Sequence, residues 1–154
     1  MRIYAALLLA CIALPAAAVE GLVVKSSPYG VEETIDRLES AVRARGLTVF
    51  TRINHRAGAE QANLDLKPTL LLVFGNPKAG TPLMQEARTV AIDLPMKALA
   101  WEDDEGTVWL AYNTPGYLAG RHGITGKATL VGKMSGLLES LTDAATSPEG
   151  SPGP

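Results

Sequence analysis

Cysteine is nearly absent from this chain. The one present, Cys11, falls inside an apolar N-terminal stretch. Once that stretch is removed, no disulfide, thiol nucleophile or cysteine-held metal remains available. Histidine is almost as scarce: His55 and His122 are the only two, and they form no His-x-x-x-His pair. An excess of positive charge is missing too. Lys and Arg number 14 against 16 Asp and Glu, the net charge is −2, and no basic stripe gathers on any segment. Nucleic acid is therefore excluded as an expected partner. Beyond the N-terminus no apolar run approaches bilayer length, so no helical span is expected there. There is no Gly-x-Ser-x-Gly elbow. Gly75 and Gly80 have the spacing of a phosphate loop, but Thr81 stands where its Lys belongs, and Pro77 and Pro82 lack the N–H that such a loop offers.

The N-terminus carries the clearest positive signal. Arg2, an apolar run over 3–14, Pro15 and Ala16-Ala17-Ala18 have the layout of a secretory leader. Cleavage after Ala18 would start the mature chain at Val19. Residues 12–18 remain apolar after Cys11, which argues against a lipoprotein signal. The expected organisation is a leader over 1–18, a single α+β domain over 19–146, and a Pro/Gly/Ser-rich disordered tail over 147–154. The expected location is secreted, in the periplasm, with no membrane contact after cleavage.

Strands are predicted over 22–25, 47–54, 69–74, 96–102 and 107–113, and long helices over 31–45 and 127–145. In the first helix Val31, Ile35, Leu38 and Val42 form one stripe, with Glu32 and Glu33 at the positive end and Arg43 and Arg45 at the negative end. In the second strand Leu47, Val49 and Ile53 are assigned to one face. Residues 55–66 read as a polar connection holding about one helical turn. Residues 70–74 are apolar without alternation, so both faces of that strand should be covered. The Pro- and Gly-rich segment after Phe74 reads as a stiff loop, followed by a short helix over 81–88. Residues 115–123 read as irregular or as a short helix. The order is β-α-β-β-β-β-α. It fits a two-layer α+β domain, a mainly antiparallel sheet with two long helices on one face.

The last two strands form a hairpin around Asp103-Asp104-Glu105-Gly106. A two-residue turn puts Lys97, Leu99, Trp101, Val108, Leu110 and Tyr112 on one face, and Met96, Ala98, Ala100, Trp109, Ala111 and Asn113 on the other. A three-residue loop mixes the two sets. In either register both faces are largely apolar. Two helices cover only one, so the other needs a partner or a ligand, and the Trp109 face is expected to pair with a second copy.

The residues Gly75-Asn76-Pro77-Lys78-Ala79-Gly80-Thr81-Pro82-Leu83-Met84 resemble the central motif of the domain-of-unknown-function 302 family. Asp93-Leu94-Pro95-Met96-Lys97, Trp101-Glu102-Asp103, Tyr112-Asn113 and Tyr117-Leu118-Ala119-Gly120-Arg121-His122-Gly123 are similar in order and spacing. Ile53-Asn54-His55 is similar as well, although Asn54 stands where the family more often has Asp. The resemblance covers about residues 22–141. It implies a TATA-binding-protein-like α+β fold and homodimers, and it implies no activity.

Three classes of site are weighed. A ligand-binding cluster of Asn76, Lys78, Thr81, Lys97, Asn113, Arg121 and His122 beside an apolar sheet face suits a small anionic ligand. This is the expected reading, a binding module rather than an enzyme. A small enzyme would use His55 or His122 as acid–base, with catalytic partners drawn from Lys97, Asp93, Tyr117 and Thr81. A metal or haem site would need both His55 and His122, plus Asp65, Asp93 or Glu60 as a third ligand. An assembly subunit with no ligand is the bland alternative. Lys97 lies among apolar neighbours, so its stem snorkels at the strand end or its ammonium pairs with Asp93 or an anion. The acidic turn over 102–105 lacks calcium-loop spacing and reads as a solvated hairpin end. Trp101 and Trp109 read as core and interface.

Overall fold

The computed structural model describes residues 19–148. The expected leader, and the tail beyond Pro148, lie outside the described residues. Five strands run β1 (Leu22–Ser27), β2 (Thr48–Asn54), β3 (Thr69–Gly75), β4 (Met96–Glu102) and β5 (Val108–Asn113). They form one sheet in the order β1-β5-β4-β3-β2, with every neighbouring pair antiparallel. Helices α1 (Val31–Ala44) and α5 (Ala128–Thr146) pack on one face of that sheet. The two-layer α+β architecture and its element order are as the sequence predicts.

The stripe on α1 explains its docking. Val31, Ile35, Leu38 and Val42 are buried, against Leu70, Leu72 and Phe74 of β3 and the Ala98, Ala100 and Leu110 rows. Gly46, at φ +70, ends the helix in a conformation that disfavours a side chain. Charge finishes the outside of the layer. Arg52 of β2 bridges Asp36 at 2.7 Å and Glu39 at 2.6 Å, and Glu39 also takes Arg43. Those two arginines hold the Glu39 carboxyl below its usual range. On the other edge, Lys25 of β1 reaches α5 through Asp143 and the Thr142 hydroxyl.

Three local readings change. A β-bulge between Val49 and Thr51 flips the second half of β2. Val49 pairs with Phe74 on the helix side, whereas Ile53 pairs with Leu71 on the open side. The stiff loop after Phe74 is already helical. Asn76 caps α3 (Pro77–Glu86) with its side-chain oxygen, Pro77 sits at the first position, and Pro82 lies inside the helix. The polar connection holds a full short helix, α2 (His55–Gln61), capped by Asn54. A 3-10 helix (Arg88–Ile92) and α4 (Pro115–Arg121) complete the described elements. Ser147, assigned to the tail, caps α5, and its carbonyl accepts from Tyr29 Oη at 3.0 Å and Arg37 Nη2 at 3.3 Å.

The hairpin closes with the longer loop. Asp103 N–H donates to the Thr107 carbonyl, leaving Asp104-Glu105-Gly106 outside, with Gly106 at φ +83. Trp101 therefore faces Trp109, and Ala98 faces Tyr112. This corrects the two-residue-turn faces. Met96, Ala98 and Ala100 join Val108, Leu110 and Tyr112 under the helices. Lys97, Leu99 and Trp101 join Trp109, Ala111 and Asn113 on the open side. One apolar row, Val24–Ala111–Leu99–Leu71–Ile53, crosses all five strands on that open face. Its ends, Val24 and Ile53, are exposed.

Candidate functional site

Two features gather at the end of the sheet where β3 leaves and β4 enters. The first is an apolar pocket of about 210 Å³. Gly75 and the start of α3 form one wall, with Asn76, Pro77, Ala79, Gly80, Thr81 and Met84. The 3-10 helix supplies Ala91, and the cis Leu94–Pro95 segment leads to Met96. Phe50, at the β2 bulge, and Met134 of α5 close it. Polar donors are few by construction. Pro77 has no N–H, Lys78 N–H donates to Asn76 Oδ1 at 2.9 Å, and the Ala79 and Gly80 amides donate to the Asn76 carbonyl.

The second feature is a hydrogen-bonded cluster on Asp93, the residue that ends the 3-10 helix. Its Oδ2 lies 2.6 Å from His122 Nε2 and 3.6 Å from Arg121 Nη1. His122 Nδ1 lies 3.0 Å from Thr89 Oγ1, and Lys97 Nζ donates to the Asp93 carbonyl at 3.0 Å. The His122 side chain is 8% exposed, so the ring is held between two partners rather than offered to solvent. A hydroxyl, an imidazole and a carboxylate in line is an arrangement able to relay a proton. In this geometry it also ties α4 to the entry of β4.

The proposed ligand cluster therefore divides. Asn76 and Thr81 line the pocket. Lys97, Arg121 and His122 converge on Asp93. Lys78 is exposed in the first turn of α3, and Asn113 ends β5 opposite Leu22; neither lines the pocket nor bonds to Asp93. Tyr117 packs into the main core. Thr89 is the residue that sequence reasoning missed, since a threonine between Arg88 and Val90 carries no spacing signal.

The two-histidine metal or haem reading does not survive the topology. His55 follows Asn54, which pairs with Leu70, and Leu70 pairs with Ala100. His122 bonds to Asp93, which precedes the opposite end of β4. The two rings sit at opposite ends of the sheet. Glu60 pairs with Arg56 near His55, far from Asp93. Among the described residues, no group of three or more His, Cys, Asp or Glu is placed to hold a metal ion. The acidic turn is likewise structural: Asp103 accepts from Trp109 Nε1 at 2.6 Å and from the Thr107 and Glu105 amides. The indole and amide donors hold its carboxyl below the usual range.

The model of the family described as Domain of unknown function DUF302 matches residues 23–141. The chain belongs to this family. A solved structure described as an uncharacterized conserved protein DUF302 from Bacillus stearothermophilus superposes with a TM-score of 0.74. It is 21% identical and covers 82% of this chain and 99% of its own; at that identity the likeness is one of fold. Two curated relatives are named Fluoride-specific ion channel FluC 1. The Brucella suis protein is 52% identical over 104 residues, which is 68% of this chain and 41% of that protein. The Brucella abortus protein is 52% identical over 104 residues, or 38% of its length. The chain thus spans about two fifths of the curated relatives it matches. No helix among the described residues is long and apolar enough to cross a membrane.

Proposed function

We propose that this DUF302 protein is an exported, homodimeric module that binds a small, mainly apolar molecule in the pocket beside α3. The observation that carries the reading is the pocket itself, about 210 Å³ of mainly apolar concavity at the end of the sheet. Its walls come from β3, α3, the 3-10 helix, β4, α5 and the β2 bulge. An apolar concavity on which so many elements converge is the usual setting of a small-molecule site. The leader pattern supports export. The apolar row on the open face supports a second copy as its cover. The Brucella relatives hold a matching stretch inside a longer chain, which supports a module working beside another unit.

Because the α3 amides are used internally, this reading replaces an anionic ligand with an apolar one. Native mass spectrometry of protein isolated from its own host tests it. A bound small molecule is expected, and protein that is always empty would overturn the reading.

A second reading is a small enzyme with His122 as acid–base, favoured by the Thr89–His122–Asp93 line. It predicts that the molecule recovered from the pocket is slowly converted, and that His122→Ala abolishes this. Conversion unaffected by that substitution would refute it.

A further inference from the structure

We propose that the pocket's ligand is a neutral aromatic compound of one or two fused rings, held by methionine thioethers; this rests on the reading of the pocket as a ligand site. The chain has four methionines. Apart from Met1, all of them, Met84, Met96 and Met134, line this single pocket. They come from α3, β4 and α5. No periodicity within one element explains the convergence. Methionine commonly fills irregular gaps in a core. Met96 is buried in the main core and Met84 and Met134 pack against the core clusters, yet each also borders the space left open between them.

Charge and size narrow the class. No Lys, Arg, His, Asp or Glu side chain lines the pocket. A carboxylate, a phosphate or a metal cation would leave its water without a compensating partner. An apolar cavity of ~150 Å³ accommodates benzene, so one of about 210 Å³ suits a substituted ring or a fused pair. Burial alone does not separate an aromatic ring from a saturated one. Thioether sulfur does, because it makes favourable contacts with aromatic ring edges. Phe50 adds an aromatic wall on the exposed side. Asn76 and Thr81, the polar side chains in the lining, suit one hydroxyl or ring N–H on the ligand.

The test labels the methionine methyl groups with carbon-13 in the chain starting at Val19 and titrates three probes. These are 2-naphthol, its saturated counterpart decahydro-2-naphthol, and 2-naphthoate. Saturable ring-current shifts of all three methyl signals are expected with 2-naphthol. The saturated alcohol and the carboxylate should each bind at least ~10-fold more weakly, the equivalent of ~1.4 kcal/mol. Met84→Leu and Met134→Leu conserve volume. They should weaken 2-naphthol several-fold while leaving the saturated alcohol unchanged. Equal binding of the saturated alcohol or of the carboxylate overturns the aromatic class and leaves the pocket reading standing. Methyl signals unmoved by all three probes at millimolar concentration also overturn the class. The mass spectrum of host-derived protein then decides the pocket reading separately.

Discussion

The Asp93 carboxylate meets His122 Nε2 at 2.6 Å, which joins the entry to β4 to the exit from α4, with Arg121 beside it at 3.6 Å. The Asp93 and His122 side chains are 14% and 8% exposed, and His122 is also held by Thr89. Asp93→Ala leaves the imidazole without its carboxylate and costs about 1–3 kcal/mol, the penalty for orphaning a largely buried polar group. Chemical denaturation checks this. An unchanged midpoint would mean that the cluster holds nothing together.

Glu86 and Asp103 join Glu39 in shaping the acid side of the stability curve. Glu86 accepts from the Gly126 and Thr125 amides, both at 2.8 Å, and those bonds lower its pKa. Asp103 is lowered chiefly by the Trp109 indole. A group whose folded pKa is depressed contributes stability above its unfolded pKa, near pH 4, and loses it as pH falls through the folded value. The melting temperature should therefore fall below about pH 4. Asp103→Asn and Glu86→Gln should each flatten that fall. Melts recorded from pH 7 to pH 2 on the three proteins read it directly.

The open face predicts the assembly state. Trp109 stands beside the row Val24–Ala111–Leu99–Leu71–Ile53, with Trp101 opposite it. Covering each 100 Å² of that surface is worth about 2.5 kcal/mol. Sedimentation velocity should show a dimer at tens of micromolar. Trp109→Glu should give a folded monomer, because a carboxylate placed in a self-complementary contact meets its own copy. A wild type that stays monomeric refutes the dimer.

Much of the fold was legible in the sequence because single elements carry it. The α1 stripe fixes which side of that helix is buried, and Asp36, Glu39 and Arg43 find helix-surface or strand partners. The apolar run of β3 divides as a central strand must, with Leu70, Leu72 and Phe74 buried and Leu71 and Val73 half-buried. What was hidden depends on single-residue offsets or distant segments. One extra residue at Gly106 decides which tryptophan faces which, since a slip of one flips every side chain. The bulge at β2 does the same to Ile53. Asp93 and His122 are 29 positions apart and meet only through α4. The pocket has no sequence signature, because no one segment supplies more than a wall.

The core sets a reference. Leu72 of β3 is fully buried in the main core with the α1 stripe and pairs with Ala98 of β4. Leu72→Ala should cost about 2–5 kcal/mol. Ala91→Phe, at an exposed position on the pocket rim, should cost little.

That pair of magnitudes makes the central claim testable in one comparison. Wild type and Ala91→Phe are expressed in the native host, isolated in parallel and measured by native mass spectrometry. A bound small molecule is expected on the wild type and its loss from Ala91→Phe, with the emptied variant still folded and melting where ligand-free wild type melts. The same bound mass retained in full by Ala91→Phe would place the ligand elsewhere and contradict the account.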